Sequence, residues 1–161
     1  MSRLPVTLVR ICLFQDGPQD LPANGTVLVV LVAIGWAAST LLVGQLIEEG
    51  SAALEVSLAT AFGLLFTWLA LTMRGGSNRF LQTASALFGT DLVLLLPVTP
   101  LLLMTQNGDG GGNLQLLLLV LWIWSIAIKG HIFRHALDLP VAGGVLVAIG
   151  YTILSLFITG A

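Results

Sequence analysis

Long apolar runs, each about as long as a bilayer is thick and almost free of charge, constrain the fold of this chain most. The chain has 161 residues, of which 57% are hydrophobic and only 9% are charged, whereas a soluble domain is about 25% charged. So few charges cannot cover a water-exposed surface, and most of the surface must therefore face lipid. The sequence predicts an all-α polytopic membrane protein, with the lipid bilayer as its main surroundings.

Clusters of Gly, Pro, Asn and charged residues divide the apolar sequence into five predicted spans. The spans cover residues of about 26–47, 51–73, 80–105, 114–136 and 140–159. Each run is about as long as a spanning helix requires. We therefore expect residues 26–161 to form one compact five-helix bundle. The glycine-rich loop at 107–113 is interpreted as a hairpin linker.

Residues 1–25 are predicted to be a retained cytoplasmic or interfacial segment with a short helix. No small-residue cleavage site follows the first apolar residues, which argues against a signal peptide. Plain disorder is the alternative. On a helix, Arg3 and Arg10 would meet head groups. The apolar residues expected to face lipid are Leu4, Leu8, Ile11 and Phe14.

All six Lys and Arg residues fall in three clusters that five spans would bring to one side of the membrane. The other side would receive Glu48, Glu49, Asp109 and the C-terminus. By the positive-inside rule, the N-terminus is expected in the cytoplasm and the C-terminus outside it. The basic clusters are Arg3 with Arg10, Arg74 with Arg79, and Lys129 with Arg134.

Asp91 is the one carboxylate inside the third run. It lies roughly 16 Å along a helix that starts at Phe80, close to the centre of the bilayer. An ionised carboxylate at this depth costs several kcal/mol unless it is paired, hydrated or protonated. Lys129, roughly 10 Å in from the end of the fourth run, is the candidate partner. Three roles stay open: a structural carboxyl, a proton or ion relay, and a polar contact for a partner protein or lipid.

Pro97 and Pro100 follow Asp91 in the same run. Each removes a backbone donor, which predicts a break or kink in the third helix. Transporters use broken helices to build binding sites, although ordinary proline kinks are commoner. An acid followed by a helix break marks this span as the place to look for a pocket.

A second group of polar residues lies at the end of the fourth run. His131 and His135 are spaced i, i+4, so both rings point the same way on a helix. Zinc needs at least one more protein ligand, which Asp138 alone could supply. With Arg134, the segment is better interpreted as a solvated helix end that meets anionic lipid head groups. No metal or cofactor is assigned.

Pairs of small residues four apart predict close helix packing, within the chain in preference to a homodimer face. Trp122 and Trp124 lie in mid-run and are interpreted as packing residues. The small-residue pairs are Ala33 with Ala37, Gly35 with Ser39, Ser85 with Gly89, and Gly144 with Ala148.

The sequence lacks the residues that several classes of protein require. No Ser-His-Asp, Cys-His or paired-carboxylate arrangement supports an enzyme, and no basic block suggests nucleic acid. The single cysteine, Cys12, excludes an internal disulfide. It is interpreted as a small apolar residue, with lipid modification as the alternative.

Four short motifs resemble the small bacterial members of the Yip1-domain family. They are GPQDLP (17–22), GGSNRF (75–80), LLLP (94–97) and FRHALDLP (133–140). The resemblance implies five spans, a cytoplasmic N-terminus and no catalytic residue. Eukaryotic relatives act in vesicle trafficking with small GTPases.

The first functional hypothesis is a non-enzymatic accessory or scaffold subunit in a bacterial inner membrane. It would bind another membrane protein, or a second copy of itself, through its helices or its basic face. The alternative is a small transporter or channel subunit that uses Asp91 with Lys129 as an ion or proton site.

Overall fold

The computed structural model describes residues 3–46, 50–106 and 111–159, and the regular elements in these ranges are all helical. A short helix, α1 (Leu4–Cys12), and a 3₁₀ turn (Pro18–Asp20) precede the long helices, and a second 3₁₀ turn (Ser77–Arg79) leads into the third of them. The long helices are α2 (Gly25–Leu46), α3 (Ala52–Met73), α4 (Phe80–Gln106), α5 (Gly112–Ala136) and α6 (Val141–Thr159).

All five long helices have the length and hydropathy of membrane spans. The predicted fold class is therefore confirmed, and the span boundaries differ from the prediction by a few residues. Ile47, Glu48 and Glu49, and residues 107–110 with Asp109, lie outside the described residues, as do the last two residues of the C-terminus.

Two helices end in the same way at one end of the bundle. Gly75, with φ of 71°, follows α3, and the next N–H donates back to the Leu71 carbonyl at 2.8 Å. Asp138, with φ of 51°, follows α5, and the next N–H donates to the Arg134 carbonyl at 2.9 Å. A left-handed residue of this kind stops a helix and satisfies a terminal carbonyl. The chain therefore reverses sharply at both points.

The five spans form a closed ring, because α2 contacts α3, α3 contacts α6, α6 contacts α5, α5 contacts α4, and α4 contacts α2. α3 also contacts α4 across this ring, at Gly63 and Phe88. The basic turns meet at one end of this ring. Arg79 Nη1 donates to Asp138 Oδ2 at 2.8 Å, and Arg74 Nη2 donates to the Leu137 carbonyl at 3.3 Å. We call this end the basic end. Its side of the membrane stays a prediction.

The packed core lies mainly in the half of the ring next to the basic end. The buried residues of α4 lie between Thr83 and Thr90, and those of α5 between Ile128 and Ala136. The described parts of both helices bury no residue in the opposite half. The two helices therefore separate beyond Thr90 and Ile128, which opens a space between them.

Small residues play two different roles. Gly144 packs so closely on α5 that an added Cβ would lie 2.5 Å from the Gly130 carbonyl oxygen, and Ala148 is fully buried. Intramolecular packing is confirmed for this pair. Ala33 and Ala37 are exposed on the outside of the ring, so intramolecular packing was the wrong expectation for these two residues of α2. Gly35 and Ser39, the other two small residues of that run, face the inside of the bundle.

The predicted helix break at Pro97 and Pro100 is wrong. α4 continues as a helix through both prolines to Gln106. Removing a donor from a helix inside a bilayer does not by itself end the helix, since neighbouring residues and local adjustment satisfy the freed carbonyls. The pocket that the break was expected to mark has another origin, the separation of α4 from α5.

The predicted orientation of α1 is also wrong in part. Leu8 and Ile11, expected to face lipid, are buried against the bundle, while Val6 and Val9 on the other face are exposed. Leu8 lies over Gly89, where an added Cβ would come within 2.5 Å of the leucine methyl group. Because Gly89 has no side chain, α4 leaves the space in which Leu8 of α1 packs.

Candidate functional site: a charged pair at the centre of the helix ring

Asp91 on α4 and Lys129 on α5 meet in the middle of the bundle. The Lys129 ammonium donates to Asp91 Oδ1 at 2.6 Å. Lys129 starts roughly 10 Å from the basic end of α5, but helical side chains lean towards the N-terminus of their helix. For α5 this direction is away from the basic end, so the long side chain extends inward to the depth of Asp91. The predicted partnership is present in the structure.

The two partners are unequally exposed. The Lys129 side chain is 13% exposed, whereas the Asp91 side chain is 43% exposed. Among the described residues, no side chain donates to the second oxygen of Asp91. A carboxylate oxygen at this depth needs a polar neighbour, because lipid offers no donor. The site therefore has room and chemical need for water, an ion or a polar ligand group beside Asp91.

A cavity of about 360 Å³ lies inside the ring, and all five long helices contribute to its wall. The Asp91–Lys129 pair is part of this wall, together with Trp36 and Trp122. The wall is mainly apolar, but it carries six hydroxyl groups beside the charged pair. The hydroxyl-bearing residues are Ser39, Thr60, Ser125, Tyr151, Thr152 and Ser155.

Aromatic rings pack between this central cavity and the basic end. Tyr151 lies against Phe62, Phe66 and Phe133, with ring centroids 5.3 to 5.9 Å apart. Phe133 is 1% exposed. Aromatic pairs at these separations are favourable contacts, and together they separate the central cavity from the basic end.

A second space, the α4/α5 groove, begins at the same charged pair. It has a volume of about 630 Å³ and runs between the opposite halves of α4 and α5. Asp91, Lys129, Ser39 and Ser125 mark its inner end, where it adjoins the central cavity. The rest of its wall is almost wholly apolar and comprises Leu94, Leu95, Val98, Leu102, Leu118, Leu119, Leu121 and Trp122.

The N-terminal segment is tied to the bundle close to this site. Trp124 Nε1 donates to the Cys12 carbonyl at 3.0 Å, and Gln82 Nε2 donates to the Leu21 carbonyl at 2.8 Å. Burial, followed by the negative charge of Asp91, raises the pKa of the Cys12 thiol to about 11. The interpretation of Cys12 as a small buried residue is confirmed. Trp124, interpreted as a packing residue, stacks on Phe14 with ring centroids 6.1 Å apart and also holds α1 by its hydrogen bond.

The histidine segment serves the same attachment. His131 Nε2 lies 3.0 Å from the Asp16 carbonyl oxygen, so this nitrogen carries the proton and donates. The His135 ring packs edge-on against His131 with centroids 4.6 Å apart. Asp138 turns away to Arg79, and Arg134 is exposed. Within the described residues, no group of three potential metal ligands forms here.

Sequence reasoning identified the charged pair but missed Tyr151, Gln82 and Asp16. Tyr151 is the only tyrosine in the chain and lies in an apolar run, which was a usable signal. Gln82 lies near the start of α4, where a single amide side chain is an ordinary feature of a sequence. Asp16 acts through its backbone carbonyl, for which side-chain chemistry gives no signal.

In comparisons with known proteins, no protein-family model, no curated protein and no solved structure matches the chain. The site must therefore be interpreted from its own geometry and chemistry.

Proposed function

We propose that this protein is a small membrane transporter, or a subunit of one, whose ion or proton site is the Asp91–Lys129 pair. The observation that carries this proposal is the half-exposed Asp91 carboxylate on the wall of a cavity inside a ring of five spans. Ionisable residues at this depth are costly and most often mark ion or proton pathways.

The pair suits reversible binding. Asp91 already has one oxygen engaged by Lys129, and the other faces the space shared by cavity and groove. A cation or proton that approaches this oxygen competes with the lysine ammonium for the carboxylate. The displaced Lys129 ammonium then loses its partner, which limits the affinity for the bound cation or proton and favours its release.

The test uses purified protein in liposomes with an imposed pH or cation gradient and a fluorescent reporter inside. Asp91→Asn should abolish the flux while the protein remains folded and monodisperse. Asp138→Asn, the same chemical change on an exposed carboxylate at the basic end, is the matched control and should keep the flux. Wild-type flux in a folded Asp91→Asn variant would reject the proposal.

A separate surface supports a second candidate function, an accessory subunit that binds a membrane partner. An apolar groove of about 550 Å³ lies between α2 and α3 on the outside of the ring. Ala33 and Ala37 line it, and their small side chains permit close approach of another helix. Ala33→Leu with Ala37→Leu should release a partner from gently solubilised membranes. A wild-type chain that always purifies alone would count against this role.

We also propose a bacterial inner membrane as the location, with the N-terminus in the cytoplasm. The support is the meeting of the basic turns at one end of the bundle. A C-terminal alkaline phosphatase fusion should be active, and a C-terminal green fluorescent protein fusion dark. The reverse result would invert the orientation. The resemblance to the Yip1-domain family stays a prediction.

A further inference from the structure

The central cavity and the α4/α5 groove meet at one charged pair and differ in the residues that line them. The cavity of about 360 Å³ carries hydroxyl groups and two tryptophans, whereas the groove of about 630 Å³ is lined mainly by leucine. Asp91 and Lys129 belong to both walls. A charged pair at the inner end of an apolar groove matches a molecule with a polar head and an apolar chain.

We propose that this joined site binds a single-chain lipid with a zwitterionic head, an ammonium close to an anionic group. The head lies at the Asp91–Lys129 pair and the chain lies in the α4/α5 groove. This inference rests on the proposed function, since it names the substrate class of the same site.

The charge of the pair argues for a zwitterion. Asp91 and Lys129 together carry no net charge, so a singly charged head would leave one uncompensated charge in a low-dielectric site. A zwitterionic head places its ammonium on the exposed Asp91 oxygen and its anionic group towards Lys129. The sum of charges stays zero, and the half-exposed carboxylate gains the donor that it lacks.

The shape of the groove argues for one chain. It follows α4 from Asp91 to Leu102, a rise of roughly 16 Å. Leu118 and Leu121 on α5 form the facing wall. α4 and α5 are neighbours in the ring, and their described residues in this half are not buried, so the furrow is open to the side. A lipid chain therefore reaches it without leaving apolar surroundings.

Binding can be read from Trp122, which lines both spaces. The protein is placed in phosphatidylcholine nanodiscs and titrated with lysophosphatidylethanolamine that carries a brominated chain, a short-range quencher of tryptophan. Lysophosphatidic acid and a single-chain quaternary ammonium, both brominated, are the anionic and cationic comparisons. The zwitterion should quench at a concentration at least about tenfold lower than either. Trp122→Phe should remove most of the response.

Charge variants make the test specific. Asp91→Asn leaves Lys129 alone and should reverse the preference towards the anionic lipid, while Lys129→Met should reverse it towards the cation. Val98→Phe fills the groove without adding a second tryptophan and should weaken binding of every probe at least about tenfold. Leu146→Phe, on the exposed face of α6, is the matched control and should bind as the wild type does.

Three results would overturn the inference: an unchanged head preference in both charge variants, equal binding of all three lipids to the wild type, or unaffected binding in Val98→Phe. A co-purifying protein that protects the groove from every probe would overturn it as well. If one charge variant fails to fold, the other and Val98→Phe still decide the matter. Ion or proton flux without lipid binding rejects this inference alone, whereas lipid binding without any flux rejects transport.

Discussion

Replacing Asp91 should lower the free energy of unfolding more than replacing Lys129 does. Asp91→Asn strands the ammonium of Lys129, whose side chain is only 13% exposed. A buried charge that loses its partner costs about 3–5 kcal/mol in free energy of unfolding. Lys129→Met leaves Asp91 without its partner, but Asp91 is 43% exposed and borders the central cavity, where hydroxyl groups and water can solvate it. Screening reduces the cost there to about 1–2 kcal/mol.

The double variant separates the stranding of a charge from the simple loss of a contact. With both charges replaced by uncharged side chains of similar size, no ion is stranded, and the cost should fall to about 1 kcal/mol or less. The free energies of unfolding are measured by denaturing-detergent titration in mixed micelles, with helicity as the signal. The expected coupling between Asp91 and Lys129 is then at least about 3 kcal/mol.

Two outcomes would contradict the expected asymmetry and coupling. Equal costs for the two single variants would mean that the unequal exposure has no energetic consequence. A double variant that costs the sum of the single variants would mean that the pair is not coupled, and the ion pair would then contribute nothing specific to the site. Asp138→Asn, which alters an exposed pair, should cost less than about 1 kcal/mol and calibrates the measurement.

Further predictions concern helix packing and the attachment of α1. Gly144→Ala should destabilise the bundle by about 1–3 kcal/mol in the same titration, because the new methyl group meets the Gly130 carbonyl. Gly150→Ala, where nothing lies within 4 Å of an added Cβ, should be neutral or stabilising by up to about 1 kcal/mol; equal effects at both sites would contradict the close α5–α6 approach. Trp124→Phe removes the hydrogen bond to Cys12 and should raise the rate of maleimide labelling of that thiol several-fold; an unchanged rate would show that the bond does not hold α1. Because its pKa is raised to about 11, labelling of Cys12 in the wild type should keep rising with pH up to about 11, and a plateau near pH 9 would contradict the buried environment.

The number of spans and the charged pair could be predicted from the sequence because both follow from quantities that are counted along the chain. Span number depends on run length and charge, and the depth of Asp91 depends on its distance from Phe80 at a fixed rise per residue. The meeting with Lys129 was predictable because a stranded charge in lipid needs a counter-charge, and the chain has few candidates.

The central cavity was beyond sequence reasoning because it depends on which helices are neighbours. The apolar runs do not indicate that α3 packs on α6, or that α2 and α4 are in contact and close the ring. The packing of α1 on α4 could not be predicted for a related reason. Gly89 has the same small-residue signature whether a spanning helix or an N-terminal helix fills the gap, and only the structure shows Leu8 there. The prolines misled because a helix tolerates them in a bilayer better than in water.

The position of α1 explains why the site opens where it does. Leu8 on Gly89 and Cys12 beside Trp124 fasten α1 across α4 and α5 at about the depth of the charged pair. The half of the ring next to the basic end is packed by its own core. The opposite halves of α4 and α5 have no such core, α1 contacts them no further than Trp124, and they separate. The boundary between the packed half of the ring and the opposite half falls at Asp91 and Lys129. Any movement of the opposite half therefore changes the surroundings of the charged pair directly. Loosening α1 should for this reason alter binding at Asp91, although α1 contributes no residue to either wall.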